Sequence, residues 1–195
     1  MTVDDIITKA RYRLADYSDE SYSDAMFFEY INDGTKDFAM TGCCQDKYNK
    51  TSGAIAATGL ALSNLTYKYI NVYHVTNTDT PLHFAPIYES RYWSPSAGTP
   101  TGYSVWNDII YFDYTFTPTD LDVYYTYVPD DISAVGNTAP LPEKWAPALV
   151  AYCVFRCRDA DRDDGFAMRA YAEYDAIRQT AAKIYESLLM RGGYG

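Results

Sequence analysis

Val3, Ile6, Ile7, Ala10 and Leu14 fall at i, i+3, i+4, i+7 and i+11, the spacing that puts one apolar stripe on a helix. Thr2 with Asp5 supplies a start signal, and the polar run at residues 16–21 interrupts the pattern. Ser23 and Asp24 then read as the N-cap and acidic first turn of a second helix, with Phe27, Phe28, Ile31 and Phe38 on its apolar face. Gly42 is its stop signal. The opening segment therefore predicts a helical hairpin.

From about residue 51 the period changes from helical to alternating. Residues 67–76 alternate large and polar side chains and are rich in β-branched and aromatic types, the mark of a half-buried strand. Residues 82–84, 103–106, 109–112 and 123–128 read the same way, separated by turn-forming stretches at 77–81 and 95–102. Asn107 and Asp108 tolerate positive φ and stand between two of these runs, so they predict a two-residue hairpin turn. Residues 87–93, between Pro86 and Pro95, fit a short helix or a strand equally well.

After residue 140 the helical period returns. Ala146, Leu149, Val150, Cys153 and Cys157 line one face, with Pro142 and Pro147 close enough to the helix start to be accommodated. Asp163, Asp164 and Gly165 read as its end. Tyr174, Ile177, Ala181, Ile184 and Leu188 are spaced 3, 4, 3 and 4 and predict a last helix packed on others, followed by a Gly192–Gly195 tail. A two-helix hairpin buries too little surface to stand alone, so the pairs must combine. The expectation is an α+β fold: residues 1–46 with 140–195 as a four-helix domain, and 47–139 as an antiparallel β-rich insertion.

Composition sharpens this picture. The 195 residues include 21 Tyr against only 10 Leu, so much of the contact surface is amphipathic, suiting half-buried sheets and protein interfaces. The formal net charge is -10. Residues 1–46 carry 10 acidic and 4 basic side chains, 47–139 carry 8 and 4, and 140–195 carry 8 and 8. Such a chain lacks the basic footprint with which sequence-reading proteins hold nucleic acid, although DNA could pass it without being held. The N-terminal residues are acidic where a signal peptide is basic, and the richest apolar run, 145–155, is too short to span a bilayer. A soluble, cytoplasmically made protein is expected.

Motifs for hydrolase, phosphate-binding, dinucleotide and metalloprotease chemistry are absent from the sequence. His74 and His83, near Asp79, could act as a general-base pair or be ordinary strand residues. Cys43, Cys44, Cys153 and Cys157 could in principle give four thiolates for zinc, but adjacent cysteines fit zinc spacing poorly and free Cys usually packs as a small apolar residue. Asp159, Asp161, Asp163 and Asp164 are interleaved with Arg156, Arg158 and Arg162, which reads as an internally paired helix end rather than a calcium loop. No cofactor or metal is expected. The aromatics Tyr67, Tyr69, Tyr73, Tyr111, Tyr114, Tyr125 and Tyr127, with Trp93 and Trp106, could line a sugar-binding or protein-binding face, or fill a small sheet poor in Leu.

Three stretches carry a resemblance. Tyr22-Ser-Asp-Ala-Met-Phe-Phe-Glu-Tyr-Ile-Asn-Asp33 resembles the start of the second helix in head-to-tail adaptor (connector) proteins of tailed bacteriophages, with Tyr22 where that pattern has Trp. Val123-Tyr-Tyr-Thr-Tyr-Val-Pro129 is similar to that family's last strand, and Leu141-Pro-Glu-Lys-Trp-Ala-Pro-Ala-Leu-Val-Ala-Tyr152 to the lead-in of its third helix. The resemblance implies a structural virion protein without enzymatic activity, made in the host cytoplasm. It would form a ring, of twelve identical subunits, under the portal protein at the neck of a short-tailed phage. Its other partner would be the tail or nozzle protein, with an acidic channel passing DNA. On that reading Arg191, Gly192, Gly193, Tyr194 and Gly195 are candidates to dock on the portal. Trp93, Trp106, Tyr111, Tyr125 and Tyr127 are candidates for subunit or tail contacts. The competing readings are a carbohydrate- or protein-binding module built on those aromatics, and a small hydrolase using His74 or His83.

Overall fold

A computed structural model describes residues 1–16, 21–56, 59–90, 93 and 96–192, with side chains as far as residue 187. The fold is α+β, and the chain divides into two compact units. One comprises Met1–Cys44 and Val128–Tyr185; the other comprises Gln45–Tyr127 and Glu186–Gly195.

The first unit is helical, and its helices begin where the side chains supply caps. Helix α1, Val3–Leu14, opens with a capping box: Asp5 N–H donates to Thr2 Oγ1 at 3.1 Å and Thr2 N–H donates to Asp5 Oδ2 at 2.7 Å. The next N–H groups of its first turn are not left to water. Val3 N–H donates to Asn137 O and Asp4 N–H to Val135 O, so the segment after the β-rich region fastens onto α1. Helix α2, Asp24–Ala39, is capped by Ser23 and ends where Gly42 enters the left-handed region at φ 80°, its N–H closing on Ala39 O. Phe27, Ile31 and Phe38 are buried as expected, and Phe28 is half-buried.

Helix α4, Ala146–Ala160, is central: α1 and α2 both pack against it, and Ala146, Leu149, Val150, Cys153 and Cys157 are all buried. Its end differs from the expected Asp163–Gly165 break. Arg162 takes the left-handed turn at φ 60°, and Asp163 O accepts from Ala167 N–H, so Asp164 and Gly165 open the next helix instead of closing this one. That helix, α5, runs Asp164–Gly192. Gly192 thus belongs to the helix, whereas Gly193, Tyr194 and Gly195 lie outside the described residues. The α5 stripe is covered only in part: Tyr174 and Ala181 are buried, Ile177 is half-buried, and Ile184 is 56% exposed.

In the second unit β1 is Gln45–Lys50, β2 Leu60–Ala61, β3 Tyr69–Asn77, β4 Thr80–Pro81, β5 His83–Phe84, β6 Gly102–Trp106, β7 Ile109–Phe112 and β8 Leu121–Tyr127. Helix α3, Ile87–Ser90, is a single turn, so the first four residues of the segment the pattern left open are helical. Two four-stranded sheets form, in the orders β1-β8-β3-β4 and β2-β7-β6-β5. Among the described strands the pairings are antiparallel except β5 with β6. The β6–β7 hairpin turns at Asn107 and Asp108 with φ 49° and 61°, as their chemistry predicts. Strand β1 lacks the apolar alternation of a strand. It forms because β8 offers it a full antiparallel ladder, from Gln45 opposite Thr126 to Lys50 opposite Leu121. Val72, Val75, Tyr103, Ile110, Leu121, Val123 and Tyr125 make the core of this unit. Each fully buried side chain of this kind contributes roughly 1.5–3 kcal/mol.

Candidate functional site

The polar residues of the segments that carry the resemblance act as internal fasteners. Ser23 caps α2, and Asp24 accepts from Arg11 Nη2 at 2.8 Å, while Arg11 Nη1 reaches the buried Asp16 at 3.3 Å. The Tyr22 hydroxyl donates to Asp161, and its ring packs edge-on to Phe27. Burial first, then that hydrogen bond, pushes the Tyr22 hydroxyl well above its ordinary pKa. Asn32 holds the backbone of Ile132 at two points, and Asp33 pairs with Arg156 at 3.1 Å. The Arg156 guanidinium in turn lies over the rings of Tyr30 and Tyr152. Further along, Leu141 and Trp145 are buried, and Pro142 O accepts the Trp145 and Ala146 N–H groups to start α4.

The third of these segments also contributes Pro147 to an open surface. On the helical unit a mainly apolar groove of about 410 Å³ is lined by Met1, Thr8, Tyr12, Pro147 and Val150, with the two-point Arg13–Glu173 ion pair at its rim. Tyr12 is 71% exposed, and on α5 Phe166 and Met168 are 58% and 66% exposed. None of these was singled out from sequence. Phe166 and Met168 precede the 3-4 stripe of α5, and Tyr12 lies off the stripe of α1; only an unusually apolar solvent face could have flagged them.

The aromatic candidates of the β-rich unit separate. Trp106, beside the Asn107–Asp108 turn, is 49% exposed; Trp93, Tyr111 and Tyr127 are half-buried; Tyr125 is fully buried in the core and donates its hydroxyl to Asp46 at 2.8 Å. Tyr127 stacks on Tyr67 with centroids 4.3 Å apart. Near that stack a shallow cleft of about 470 Å³ is lined by Leu62, Ser63, Tyr67, Lys68, Tyr69 and Asp108. The Tyr69 hydroxyl donates to Asp108 at 2.6 Å, and burial followed by that bond pushes it up to about 12. Of the docking candidates, Arg191 and Gly192 lie in the last turn of α5, and the side chain of Arg191 lies outside the described residues with Gly193, Tyr194 and Gly195.

His74 is in β3 of one sheet, tilted against Tyr124 at 5.5 Å, and His83 is in β5 of the other. Asp79 sits in the β3–β4 turn at φ 59°. All four cysteines are buried free thiols. Burial pushes the Cys153 thiol far up and the Cys157 thiol up to about 12, so both stay protonated near neutral pH. Among the described residues, no three His, Cys, Asp or Glu side chains are grouped to hold a metal ion. In the acidic cluster, Asp161 and Asp163 each lie 3.9 Å from Arg158, whose Nη2 also donates to Leu14 O.

Among the described residues, no helix is long and apolar enough to cross a membrane. No curated protein matches this sequence. One family profile does, over residues 1–191, nearly the whole chain and including all three segments on which the resemblance rests. The chain belongs to the SU10 adaptor protein family, and its role is that of a structural phage adaptor.

Proposed function

We propose that this protein forms a ring between the portal and the tail of a phage, with DNA passing through it unheld. The observation that carries this reading is the division of labour in the helical unit. The signature side chains are spent on internal fastening, while large apolar side chains, Tyr12, Phe166 and Met168, face solvent. Exposed apolar area of this kind suits a protein that ends in an assembly. An open apolar groove and exposed apolar side chains on one chain suit contacts between subunits, and heterologous contacts are the type that closes into rings. The excess of 10 acidic side chains over basic ones disfavours adhesion of the phosphate backbone to a channel wall.

In this scheme the helices supply the ring wall and the β-rich unit, through Trp106 and its neighbours, carries contacts toward the tail. Residues 191–195 dock on the portal. Light-scattering mass with negative-stain imaging, on the protein alone and mixed with its cognate portal ring, tests the ring. Addition of a ring of mass to the portal is expected, and two separate species in the mixture would overturn the proposal. Truncation after Met190 tests the docking. Lost portal binding in a chain that still unfolds cooperatively is expected; unchanged binding removes the tail from the mechanism.

A second reading keeps one specific support. The cleft beside Tyr67 and Tyr69, with Asp108, Lys68 and Ser63 around it, has the ring faces and polar groups that a neutral sugar would use. Stabilisation by simple glycans, absent from a Tyr67→Ala variant, would favour a carbohydrate-binding role.

A further inference from the structure

Successive side chains of an extended chain point to opposite sides, so neighbouring cysteines ordinarily hold their thiols apart. Cys43 and Cys44 do not. After Gly42 turns the chain out of α2, their Sγ atoms lie 3.7 Å from each other, within reach of a thiol hydrogen bond. The pair occupies the two residues between that turn and the first residue of β1, Gln45, and so sits on one of the covalent crossings from the helical to the β-rich unit.

We propose that Cys43 and Cys44 are a reversible redox pair, which a small peroxide closes into a vicinal disulfide. The chemistry balances without a metal. The Cys43 thiolate attacks one oxygen of hydrogen peroxide, giving a sulfenic acid and releasing hydroxide, which takes up a proton. The Cys44 thiol then displaces water from the sulfenic sulfur. Two thiols are oxidised, one peroxide is reduced to two waters, and one S–S bond forms.

The order of attack follows from the surroundings. The hydrogen bond from Cys44 outweighs burial and holds the Cys43 thiol below its ordinary pKa, while the same contact and burial push Cys44 up. For Cys153 and Cys157 burial outweighs the nearby arginines and raises both thiols, which makes them an internal control. Only 5% of Cys43 is exposed, which selects a small oxidant over a folded thiol protein. The ring is reversible because Cα atoms across a trans peptide are about 3.8 Å apart. Relaxed disulfides span about 4.4–6.8 Å, and strained ones reduce readily.

The test is made on the intact, folded chain. After treatment with hydrogen peroxide, alkylation in denaturant should find two thiols instead of four, with the mass of two hydrogens lost and the loss mapped to the peptide holding residues 43 and 44. Dithiothreitol should restore all four. Cys44→Ser should leave a sulfenic acid on Cys43 that a cyclic dicarbonyl probe traps, and Cys43→Ser should give much less. Four alkylatable thiols after peroxide, or first loss at Cys153 or Cys157, would overturn the proposal.

Discussion

Asn32 and Ile132, 100 residues apart in the chain, are joined by a two-point clamp: Ile132 N–H donates to Asn32 Oδ1 at 2.8 Å and Asn32 Nδ2 donates to Ile132 O at 3.1 Å. An amide side chain is suited to this, since it presents one acceptor and one donor side by side to a peptide group. The clamp ties the middle of α2 to the segment that leads from β8 toward α4. Asn32→Ala strips both partners from a buried residue and should cost about 1–3 kcal/mol. Asn32→Asp keeps the acceptor and should cost less. Urea unfolding at unchanged slope, with faster amide exchange at Ile132, is the expected readout.

Gly34 lies where α2 meets α4. A Cβ there would stand 2.8 Å from Tyr152 Cδ1 and 3.3 Å from Leu149 Cδ2. Tyr152 cannot simply swing away, because its ring is packed at 4.9 Å on Tyr174, and the Tyr174 hydroxyl is itself bonded to Asp37. Gly→Ala inside a helix ordinarily gains up to about 1 kcal/mol. Here Gly34→Ala should instead destabilise by about 1–3 kcal/mol through overpacking. A Tyr152→Leu background should recover part of the loss, and a double-mutant cycle measures the coupling.

Arg11 is only 8% exposed and serves two carboxylates, Asp16 and Asp24, as well as covering the Phe27 ring at 5.0 Å. Removing it leaves Asp16 buried without its cation. Arg11→Ala should cost about 3–5 kcal/mol, the range for breaking a buried pair from one side. Arg11→Ala combined with Asp16→Asn should cost less than the single change, which chemical denaturation of the two variants checks.

These three relationships mark where sequence reading stops. The caps at Thr2 and Ser23, the buried stripes of α1 and α4, and the Asn107–Asp108 turn were legible because each depends on residues a few positions apart. Strand β1 was not, since Gln45-Asp-Lys-Tyr-Asn-Lys50 has no apolar alternation and owes its conformation to β8, more than 70 residues later. The parallel β5–β6 pairing is likewise set by tertiary neighbours, while the left-handed Arg162 closes a local helix cap, with Asp163 N–H on Arg158 O, without the glycine that would have signalled it. The signature segment was readable as a pattern, yet which of its side chains fasten the fold depended on distant partners such as Ile132, Asp161 and Arg156. For the same reason Tyr125, a surface candidate by type, lies in the core, while Phe166 and Met168 are left in solvent.

Trp106 separates a structural from an assembly role. It ends β6 at the hairpin turn, opposite Ile109, and is half exposed. Trp106→Ala should change stability by no more than about 0.5 kcal/mol, as for surface positions generally. If the hairpin contacts the tail, the same variant should weaken tail binding at least about tenfold, since a buried Trp anchor is worth upwards of 1–2 kcal/mol at an interface. Sedimentation of the complex with the tail component reads one number, thermal unfolding the other.

Asp122 gives the β-rich unit a defined response to acid. It sits on the central strand β8 directly opposite Asn49, and Asn49 Nδ2 and Lys47 Nζ donate to its two oxygens at 2.7 and 3.0 Å. Burial raises its pKa, but the hydrogen bonds from Asn49 and Lys47 prevail and leave it below the ordinary carboxylate value. A carboxyl whose folded pKa is depressed stabilises the fold fully above its unfolded pKa, near about 3.9. That contribution fades as the pH falls through the lower, folded value. The difference in unfolding free energy between the native chain and Asp122→Asn should therefore be constant above about pH 5 and shrink steadily below about pH 4. Taking the difference cancels the other carboxylates, which titrate in both proteins. A gap that stays constant into strong acid would show that Asp122 works through its shape alone, and that the Lys47 and Asn49 contacts do not depend on its charge.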